Sequence, residues 1–375
     1  MSTRTRLGGL VAAATTALLA TSCAAGPPLT PAQQVDQIIT FVQQARGHSF
    51  TTHPTVQFLD DATFSADVLA NLNASQADVT ADDVAFTALD WITPAQDLFT
   101  EYKKAYGSGV VGFYDPVSKA LKVRGTNLTP YRREVIAHEL THALDDQVLG
   151  LEDTTTTGVI DEHYLATLVA IEGSASVVQQ KYFAAMNPLD QLADINEQLA
   201  AGNDPTLLTV PIPLLTITTA PYLRGARFEQ DLITALGNPA GPDLSLTRYP
   251  ANTEQAFDTA KYLADEPAAA VPTPPTDGGA PVVRSGQFGP FPLSLMLREG
   301  LVLDTLDPAT AGWAGGSYAT WTSGAQSCIR IDETMDTNAQ AVTLGNALDS
   351  WGSLHPGADV LMPTPTSVRV TRCDG

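Results

Sequence analysis

The sequence predicts a protein of the α+β class, with a largely helical middle and a small mixed α/β part at its C-terminal end. Residues 130–149 and 160–186 carry apolar side chains at the spacing of long helices. Two short β-like runs flank residues 115–119, which have turn chemistry, and predict a hairpin directly before the first long helix. After the helical middle, strand-like runs return from residue 318 onward. Helices and strands therefore dominate different parts of the chain, as is typical of this class.

The individual elements follow from local patterns, in chain order. Helices are predicted over 31–46, 64–71, 81–106, 130–149, 160–186, 191–236 (with a break near Pro211 and Pro213) and 338–351. Strands are predicted over 55–59, 110–114, 120–123, 318–322, 329–332 and 368–371. Pro130 suits the first turn of its helix, and Gly150 suits the position after the last turn. Residues 264–280, rich in Ala, Pro, Asp and Gly, predict a loop.

The composition excludes several classes of protein. The chain has 375 residues with 41 acidic and 20 basic side chains, hence a net charge of −21, and it has no basic patch for a nucleic acid. With 44% hydrophobic and 16% charged residues, it can bury enough apolar surface to fold. No stretch beyond the N-terminus is long and apolar enough to cross a bilayer. We therefore expect an acidic, soluble, globular protein of one or two domains that does not bind nucleic acid.

Residues 1–22 predict a signal peptide for export. Two basic residues precede an apolar run, Leu7–Ala20, that is too short for an ordinary membrane span. Cys23 follows small residues, and the segment resembles the lipobox of bacterial lipoproteins, in which the signal is cut before the Cys and the Cys is acylated. We expect a lipid on Cys23, a tether over 23–30 and a location on the outer face of the cytoplasmic membrane. Cleavage without lipidation, which gives a secreted protein, is the alternative.

The two other cysteines, Cys328 and Cys373, predict a disulfide. Two thiols outside a reducing cytosol are most simply paired with each other. Closing this loop of about 46 residues would stabilise the C-terminal region by roughly 4 kcal/mol on the chain-entropy model. A metal or redox pair is the alternative, but such sites use cysteines that are close in sequence.

A metal site is predicted by the pattern His138-Glu139-x-x-His142 in the helix that Pro130 opens. Two His four residues apart project from one face of a helix, so both imidazoles can bind one Zn²⁺ at about 2.0–2.1 Å. Glu139 is rotated by about 100° from His138, where its carboxylate can accept a proton from a water on the metal as general base. The alternative, two surface histidines, is disfavoured because apolar neighbours bury this helix and a buried His needs a partner.

A catalytic zinc needs a third protein ligand, and Glu172 is the leading candidate. It is the lone acid in an apolar, small-residue helix, where an unpaired carboxylate would be costly. The small residues that follow it would let this helix approach the zinc helix closely. His163 is the runner-up as ligand, and a core salt bridge is the structural alternative. Other acids considered are Asp145, Asp146, which suits hydrogen bonding to a ligand, and Glu162.

These motifs resemble the gluzincin metallopeptidases, in which a Glu on the helix after the His-Glu-x-x-His helix completes the zinc site. More narrowly, the chain is similar to a group of bacterial lipoprotein-like zinc metallopeptidases. The similarity runs through 112–116, 137–147, Glu172-Gly173, 221–228, 252–255, Lys261-Tyr262 and 312–318. Two segments depart from that group: Asp258-Thr259 replaces His-Pro, and Gly315-Gly316-Ser317 lacks the Asp and Arg that precede Tyr318. The resemblance implies a zincin-like core with a β-hairpin beside the zinc helix.

The resemblance also implies how a substrate is held and how its transition state is stabilised. In gluzincins an extended peptide adds to the edge strand beside the active-site helix, and 110–114 or 120–124 is the expected edge here. A side chain usually donates a hydrogen bond to the oxyanion. Tyr318 is the first choice for this catalytic role. The other candidates, from segments similar to the family, are Tyr222, Tyr262, Arg224 and Arg227.

The predicted organisation is a zincin-like metallopeptidase domain over 31–263, an Ala/Pro-rich loop over 264–284 and a C-terminal α+β part over 285–375 that packs on the first domain. The predicted function is hydrolysis of peptide bonds in a peptide or protein substrate, with one Zn²⁺ per chain. A catalytically silent, zinc-containing lipoprotein that acts as a binding or scaffold module is the alternative. Glu139 argues against it, because a structural zinc site has four protein ligands and needs no adjacent base.

Overall fold

A computed structural model describes residues 29–73, 75–152, 158–301 and 304–374. The predicted signal peptide, Cys23 and most of the tether lie outside these residues. Within the described ranges, none of the helices combines the length and the hydrophobicity that crossing a bilayer requires.

The described residues form a mixed α/β fold with a helical middle and a C-terminal sheet. The helices are α1 (Pro31–Arg46), α2 (Asp61–Asn73), α3 (Gln76–Ala81), α4 (Asp83–Ala88), α5 (Leu98–Gly109), α6 (Pro130–Leu149), α7 (Glu162–Ala185), α8 (Pro188–Gly202), α9 (Ile212–Leu236), α10 (Ala240–Thr247), α11 (Thr253–Phe257), α12 (Thr259–Ala264), α13 (Pro290–Leu297) and α14 (Asn338–Gly352). The strands are β1 (Thr55–Leu59), β2 (Gly112–Asp115), β3 (Ala120–Arg124), β4 (Arg284–Gln287), β5 (Trp313–Ser323), β6 (Gln326–Met335), β7 (Asp359–Thr364) and β8 (Ser367–Cys373).

The N-terminal sheet has the strand order β1-β3-β2. Strands β2 and β3 form the predicted antiparallel hairpin, and β1 pairs with β3 in parallel. This order places β3 in the centre and leaves β2 at an edge. The prediction that 120–124 is the free edge strand is therefore wrong, because β3 is paired on both sides. The alternative, the strand predicted over 110–114, corresponds to β2, which has a free side.

Helix α6 has the predicted bounds, and its ends are capped as the sequence suggested. The Thr129 side chain accepts a hydrogen bond from the backbone of Arg132, and Pro130 occupies the first turn. Gly150 ends the helix with a positive φ of 74°. The apolar face of α6 packs in one core with α1 and β3; the residues of this core include Val35, Ile38, Val42, Leu121, Ile136, Leu140 and Leu144.

Helices α7 and α9 cross with their backbones in contact. A Cβ added to Gly173 would lie 2.5 Å from the carbonyl oxygen of Gly225, and one added to Gly225 would lie 2.7 Å from the Cα of Gly173. Only glycine permits this approach, because real Cβ atoms do not come so near to backbone. The crossing places Glu172 of α7 and Tyr222 of α9 on neighbouring parts of the molecule.

The C-terminal sheet has the antiparallel strand order β4-β5-β6-β8-β7 and is covered by α14. The predicted disulfide is confirmed: Cys328 and Cys373 lie opposite each other on β6 and β8 and are bonded. One hydrophobic core contains residues of this sheet together with residues of α4, α5 and α9, among them Phe86, Leu98, Leu214, Trp313 and Ile331. The C-terminal part therefore packs on the helical middle.

One predicted helix needs correction, and two strands were missed. The helix predicted over 81–106 is interrupted, because the chain turns at Asp90, which has φ 57°, and passes Pro94 before Asp97 caps α5. Strands β4 and β7 were not predicted. Both are edge strands whose side chains are mostly exposed, so they lack the alternation of buried and exposed residues on which the sequence prediction depends.

Candidate metal centre

The three predicted metal ligands converge at one point between α6 and α7. The Nε2 atom of His138 lies 3.0 Å from Oε2 of Glu172 and 3.0 Å from Nε2 of His142, and His142 Nε2 lies 3.5 Å from the same carboxylate oxygen. Ligands at about 2.0–2.1 Å from a tetrahedral Zn²⁺ are about 3.3 Å from one another. The observed separations lie on both sides of this value, so the three atoms can bind one ion without a large rearrangement.

The hydrogen bonds around His138 indicate which of its two ring nitrogens carries the proton. His138 Nδ1 lies 2.8 Å from Oε1 of Gln179, and the amide nitrogen of Gln179 donates to Glu134 at 3.1 Å. An amide oxygen only accepts, so we assign the imidazole proton of neutral His138 to Nδ1. Nε2 is then a lone pair that faces a carboxylate oxygen and another imidazole nitrogen.

His138, His142 and Glu172 thus bring three potential ligand atoms to one point. A proton on one imidazole Nε2 can bridge only two of the three atoms at a time, whereas a metal ion would satisfy all three at once. The Glu172 carboxyl group is suited to bind a cation. Burial acts to raise the pKa of Glu172, but the positive charge of His142 and the contacts with both imidazoles hold the pKa well below its usual range. The residues present thus fit a divalent metal ion.

Glu139 lies beside this group rather than in it. Its side chain is buried, and its Oε2 accepts a hydrogen bond of 2.8 Å from the backbone N–H of Tyr114 in β2. Burial raises the pKa of Glu139 to about 7; the Glu172 charge adds to this increase, and His138 and the Tyr114 N–H oppose it. Strand β2 thus holds the Glu139 carboxylate in place next to the His138 ligand.

The centre opens into a cleft of about 220 Å³. Its walls are residues 109–112, Tyr131, Val135, His138, Glu139, Gln179 and Tyr222. The backbone N–H of Arg124 donates to the carbonyl of Val111, so residues 111, 113 and 115 bond to β3 and the backbone of Gly112 faces the free side of β2. A larger hollow of 440 Å³ lies at α9 and α12, but it contains none of the three ligands.

Tyr222 is the candidate hydroxyl donor that lies at the metal centre. Its ring stacks on His138, with 5.7 Å between ring centroids. Although 41% of the residue is exposed, loss of hydration around its hydroxyl raises its pKa well above the usual range, and the charges of Glu172 and Glu139 add to this increase. A phenol with such a pKa stays protonated and can donate a hydrogen bond.

The other four predicted hydrogen-bond donors contact residues outside the metal centre. Tyr318 is buried in β5, where its hydroxyl interacts with Arg284 beside Asp82. The Tyr262 hydroxyl donates to the carbonyl of Arg248 at 2.8 Å. Arg224 donates to the carbonyl of Ala256, and Arg227 pairs with Asp304. The described contacts of these four residues do not include the three metal ligands.

The other acids and the histidine that were considered as third ligands have separate roles. His163 is on the surface and pairs with Glu152 at 3.1 Å. Glu162 is buried and accepts two hydrogen bonds from Thr253. Asp145 pairs with Arg46 at 2.7 Å and accepts from Ser174. Asp146 accepts from the Tyr114 hydroxyl and from Lys119, both at 2.6 Å, so it steadies the hairpin rather than a ligand histidine.

Sequence reasoning missed Gln179 as the partner of His138. A signal was available, because Gln179 follows Glu172 by seven residues, which is close to two helical turns, so both side chains lie on one face of α7. The hydrogen bond from the Tyr114 N–H to Glu139 could not be predicted from the sequence, because every residue except proline has a backbone N–H.

No family model, curated protein or solved structure matches the chain. The assignment of a function therefore depends on the geometry of this centre.

Proposed function

We propose that this protein is a zinc-dependent peptidase of the gluzincin type, with a zincin-like core over 31–263. The observation that carries the proposal is the meeting of three potential ligand atoms, on His138, His142 and Glu172, with a buried non-ligand carboxylate, Glu139, in an open cleft. Two imidazoles and one carboxylate are a ligand set of catalytic zinc, which keeps one position open.

Zn²⁺ bound by these residues would polarise a substrate carbonyl and lower the pKa of a water. Glu139 would accept the proton of the attacking water and later pass it to the leaving amine nitrogen. Its hydrogen bond from Tyr114 keeps the carboxylate in the cleft through both steps. Tyr222, stacked on His138, would donate its O–H to the carbonyl oxygen as it becomes an oxyanion when water adds to the carbonyl carbon.

The free side of β2 supports a peptide as the substrate. An extended chain can add to an exposed strand through main-chain hydrogen bonds, without a particular sequence of side chains. The backbone of Gly112 faces this free side and lines the same cleft as Glu139. The scissile amide would thus lie over the metal ligands while the rest of the peptide is held by β2.

The test compares residues 24–375, which keep every described residue, with the Glu139→Gln variant. Zinc content and hydrolysis of a quenched-fluorescence peptide library are measured on both. We expect one zinc in each sample and a loss of at least about 100-fold in kcat/KM for Glu139→Gln. The matched control is Glu152→Gln, which changes an exposed glutamate and should leave both readouts unchanged.

Two results would count against the proposal. If both proteins bind zinc and neither cleaves any peptide, the silent zinc-binding lipoprotein becomes the better assignment. If neither binds zinc at micromolar metal, the metal centre itself is wrong.

The proposed location is the outer face of the cytoplasmic membrane, through a lipid on Cys23. Metabolic labelling with a radioactive fatty acid tests this part separately. We expect label in the wild type and none in Cys23→Ser. Labelling of neither would leave secretion as the assignment, and equal labelling of both would show that Cys23 is not the lipidated residue.

A further inference from the structure

Helix α8 turns its apolar face away from the protein. Leu189, Leu192, Ile195 and Leu199 are 79%, 57%, 44% and 62% exposed. At 100° per residue these positions form one stripe about 120° wide. Asp194 is the buried residue of α8. A helix on the surface of a globular protein normally has the reverse arrangement, with the apolar stripe facing the core.

Polar contacts attach the inner face of α8 to the first turns of α6. Asp190 pairs with Arg133 at 2.8 Å, and Gln198 donates to Glu134 at 2.9 Å. Gln198 also donates to Asp194. The hydrogen bonds and the ion pair that attach α8 to α6 thus come from its polar face, and the four side chains of the stripe stay 44–79% exposed.

The first helix of the described chain, α1, lies near α8. At its C-terminal end α1 contacts the C-terminal half of α6, because Arg46 pairs with Asp145. Helix α1 shares one hydrophobic core with α6, and Phe41 of α1 packs on Tyr182, which lies near Arg133 and Asp190. Arg133 and Glu134, which hold α8, lie at the N-terminal end of α6.

The residues that precede the structure point to a membrane as the occupant of this stripe. Residues 1–28 come before α1, and their sequence contains the apolar run 7–20 and Cys23. The seven residues from Cys23 to Thr30 can span at most about 25 Å. A bilayer that holds the chain at or before Cys23 would therefore lie within about 25 Å of the start of α1, the helix that packs near the beginning of α8.

The size of the stripe and the charge of α8 favour a membrane over a protein partner as the occupant of this surface. A stable dimer buries about 800 Å² and 20–30 residues on each partner, far more than four side chains offer. The charged residues of α8 are Asp190, Asp194 and Glu197, so nothing on it attracts an anionic surface. Contact with lipid would therefore be apolar, with little dependence on salt or on anionic lipid.

We propose that α8 is a membrane-contacting helix whose stripe, Leu189, Leu192, Ile195 and Leu199, inserts into the bilayer interface next to the point of attachment. This contact needs neither zinc nor the lipid on Cys23. It would fix which side of the molecule faces the membrane and would therefore hold the cleft in one orientation.

The experiment is flotation of residues 24–375 with phosphatidylcholine vesicles, with and without added phosphatidylglycerol. We expect the wild type to float with both kinds of vesicle and at low and high salt. The Leu192→Ser/Leu199→Ser variant should lose at least about tenfold in vesicle affinity, since two of four inserted side chains become polar. The control, Leu354→Ser/Leu361→Ser, changes two exposed leucines of the C-terminal part and should bind like the wild type.

Three outcomes would overturn the proposal: no flotation of the wild type, equal losses in the stripe variant and the control, or a stripe variant that loses a dimer instead of vesicle binding. Far-UV circular dichroism and thermal unfolding of each variant confirm that it is folded. Glu139→Gln should float like the wild type, so failure of the peptidase assignment and failure of this proposal are distinguishable.

Discussion

His138 can carry its single neutral-state proton on only one ring nitrogen, and Gln179 decides which one. By accepting from Nδ1 at 2.8 Å, the amide oxygen leaves Nε2 free to bind a metal. Glu134 in turn orients the Gln179 amide through its nitrogen. Residues that would lie two contacts away from a bound ion thus orient the His138 imidazole.

Replacing Gln179 should therefore weaken metal binding without removing a ligand. We expect Gln179→Ala to lose about 10–100-fold in Zn²⁺ affinity, measured by competition with a chromogenic chelator. Gln147→Ala is the control, because Gln147 holds the surface residues Thr51 and Thr52 far along α6 from Gln179. An unchanged affinity in Gln179→Ala would mean that the hydrogen bond does not select the tautomer.

Removing the hydroxyl group of Tyr222 and removing that of Tyr318 should have different effects on kcat. Tyr222→Phe should lower kcat by about 100-fold with zinc content unchanged, because one oxyanion donor is lost. Tyr318→Phe should leave kcat within about twofold, because its hydroxyl interacts with Arg284 and not with the metal ligands. Steady-state kinetics on a cleaved library peptide measure both, and the reverse order of effects would assign the role to Tyr318.

At the scale of elements, the centre depends on how closely α7 approaches α9. The contact at Gly173 and Gly225 is between backbones, so there is no room for a side chain at this point of the crossing. Glu172 is the residue before Gly173. Any separation of the helices therefore moves a metal ligand.

A methyl group at Gly173 should both destabilise the fold and weaken the metal site. We expect Gly173→Ala to lower the free energy of unfolding by about 2–3 kcal/mol, since the clash is with backbone, and to reduce Zn²⁺ affinity. Gly202→Ala is the matched control, because a Cβ there meets nothing within 4 Å and alanine favours a helix by up to about 1 kcal/mol. Denaturant unfolding of the zinc-free proteins measures the effect on stability separately from the effect on Zn²⁺ affinity. Equal stability of Gly173→Ala and Gly202→Ala would show that α7 and α9 can move apart at little cost.

The elements that the sequence predicted well are those whose ends are marked by capping residues or by a turn. Thr129, Pro130 and Gly150 mark both ends of α6, and the turn at 115–119 marks the hairpin. Glu172 could be chosen as ligand because a lone buried carboxylate is costly. The choice between Tyr222 and Tyr318 was not available, because which tyrosine reaches the ligands depends on the crossing of α7 and α9. Residues far apart in sequence create that contact.

At the scale of the whole molecule, two buried carboxyl groups lie between the helical middle and the C-terminal sheet. Glu162 of α7 packs against Gly289, and Glu333 of β6 packs against Gly316 and accepts from Trp313 Nε1 at 2.7 Å. A side chain at either glycine would occupy the space of the carboxyl group. One oxygen of each carboxyl group has no hydrogen-bond partner among the described residues.

Burial raises the pKa of both groups. Desolvation raises the pKa of Glu162 to about 7 against the hydrogen bonds from Thr253, and it raises the pKa of Glu333 well above its usual range, with repulsion from Glu162 in addition. The folded state therefore binds protons that the unfolded state, with carboxyl pKa values near 4.3, has already released. Their stabilising effect is complete below about pH 4.3 and is lost as the pH rises through the folded-state values.

The stability of the zinc-free protein should accordingly fall as the pH rises from about 5 to about 8. Glu333→Gln should reduce this slope, because glutamine still accepts from Trp313 but cannot ionise, so its melting temperature should exceed that of the wild type mainly at the alkaline end. Asp349→Asn, a change on the exposed face of α14, should leave the slope unchanged. Calorimetry across this range measures the slopes. A stability that rises with pH in the wild type, or an equal slope in Glu333→Gln, would show that the junction does not hold its carboxyl groups in the protonated form.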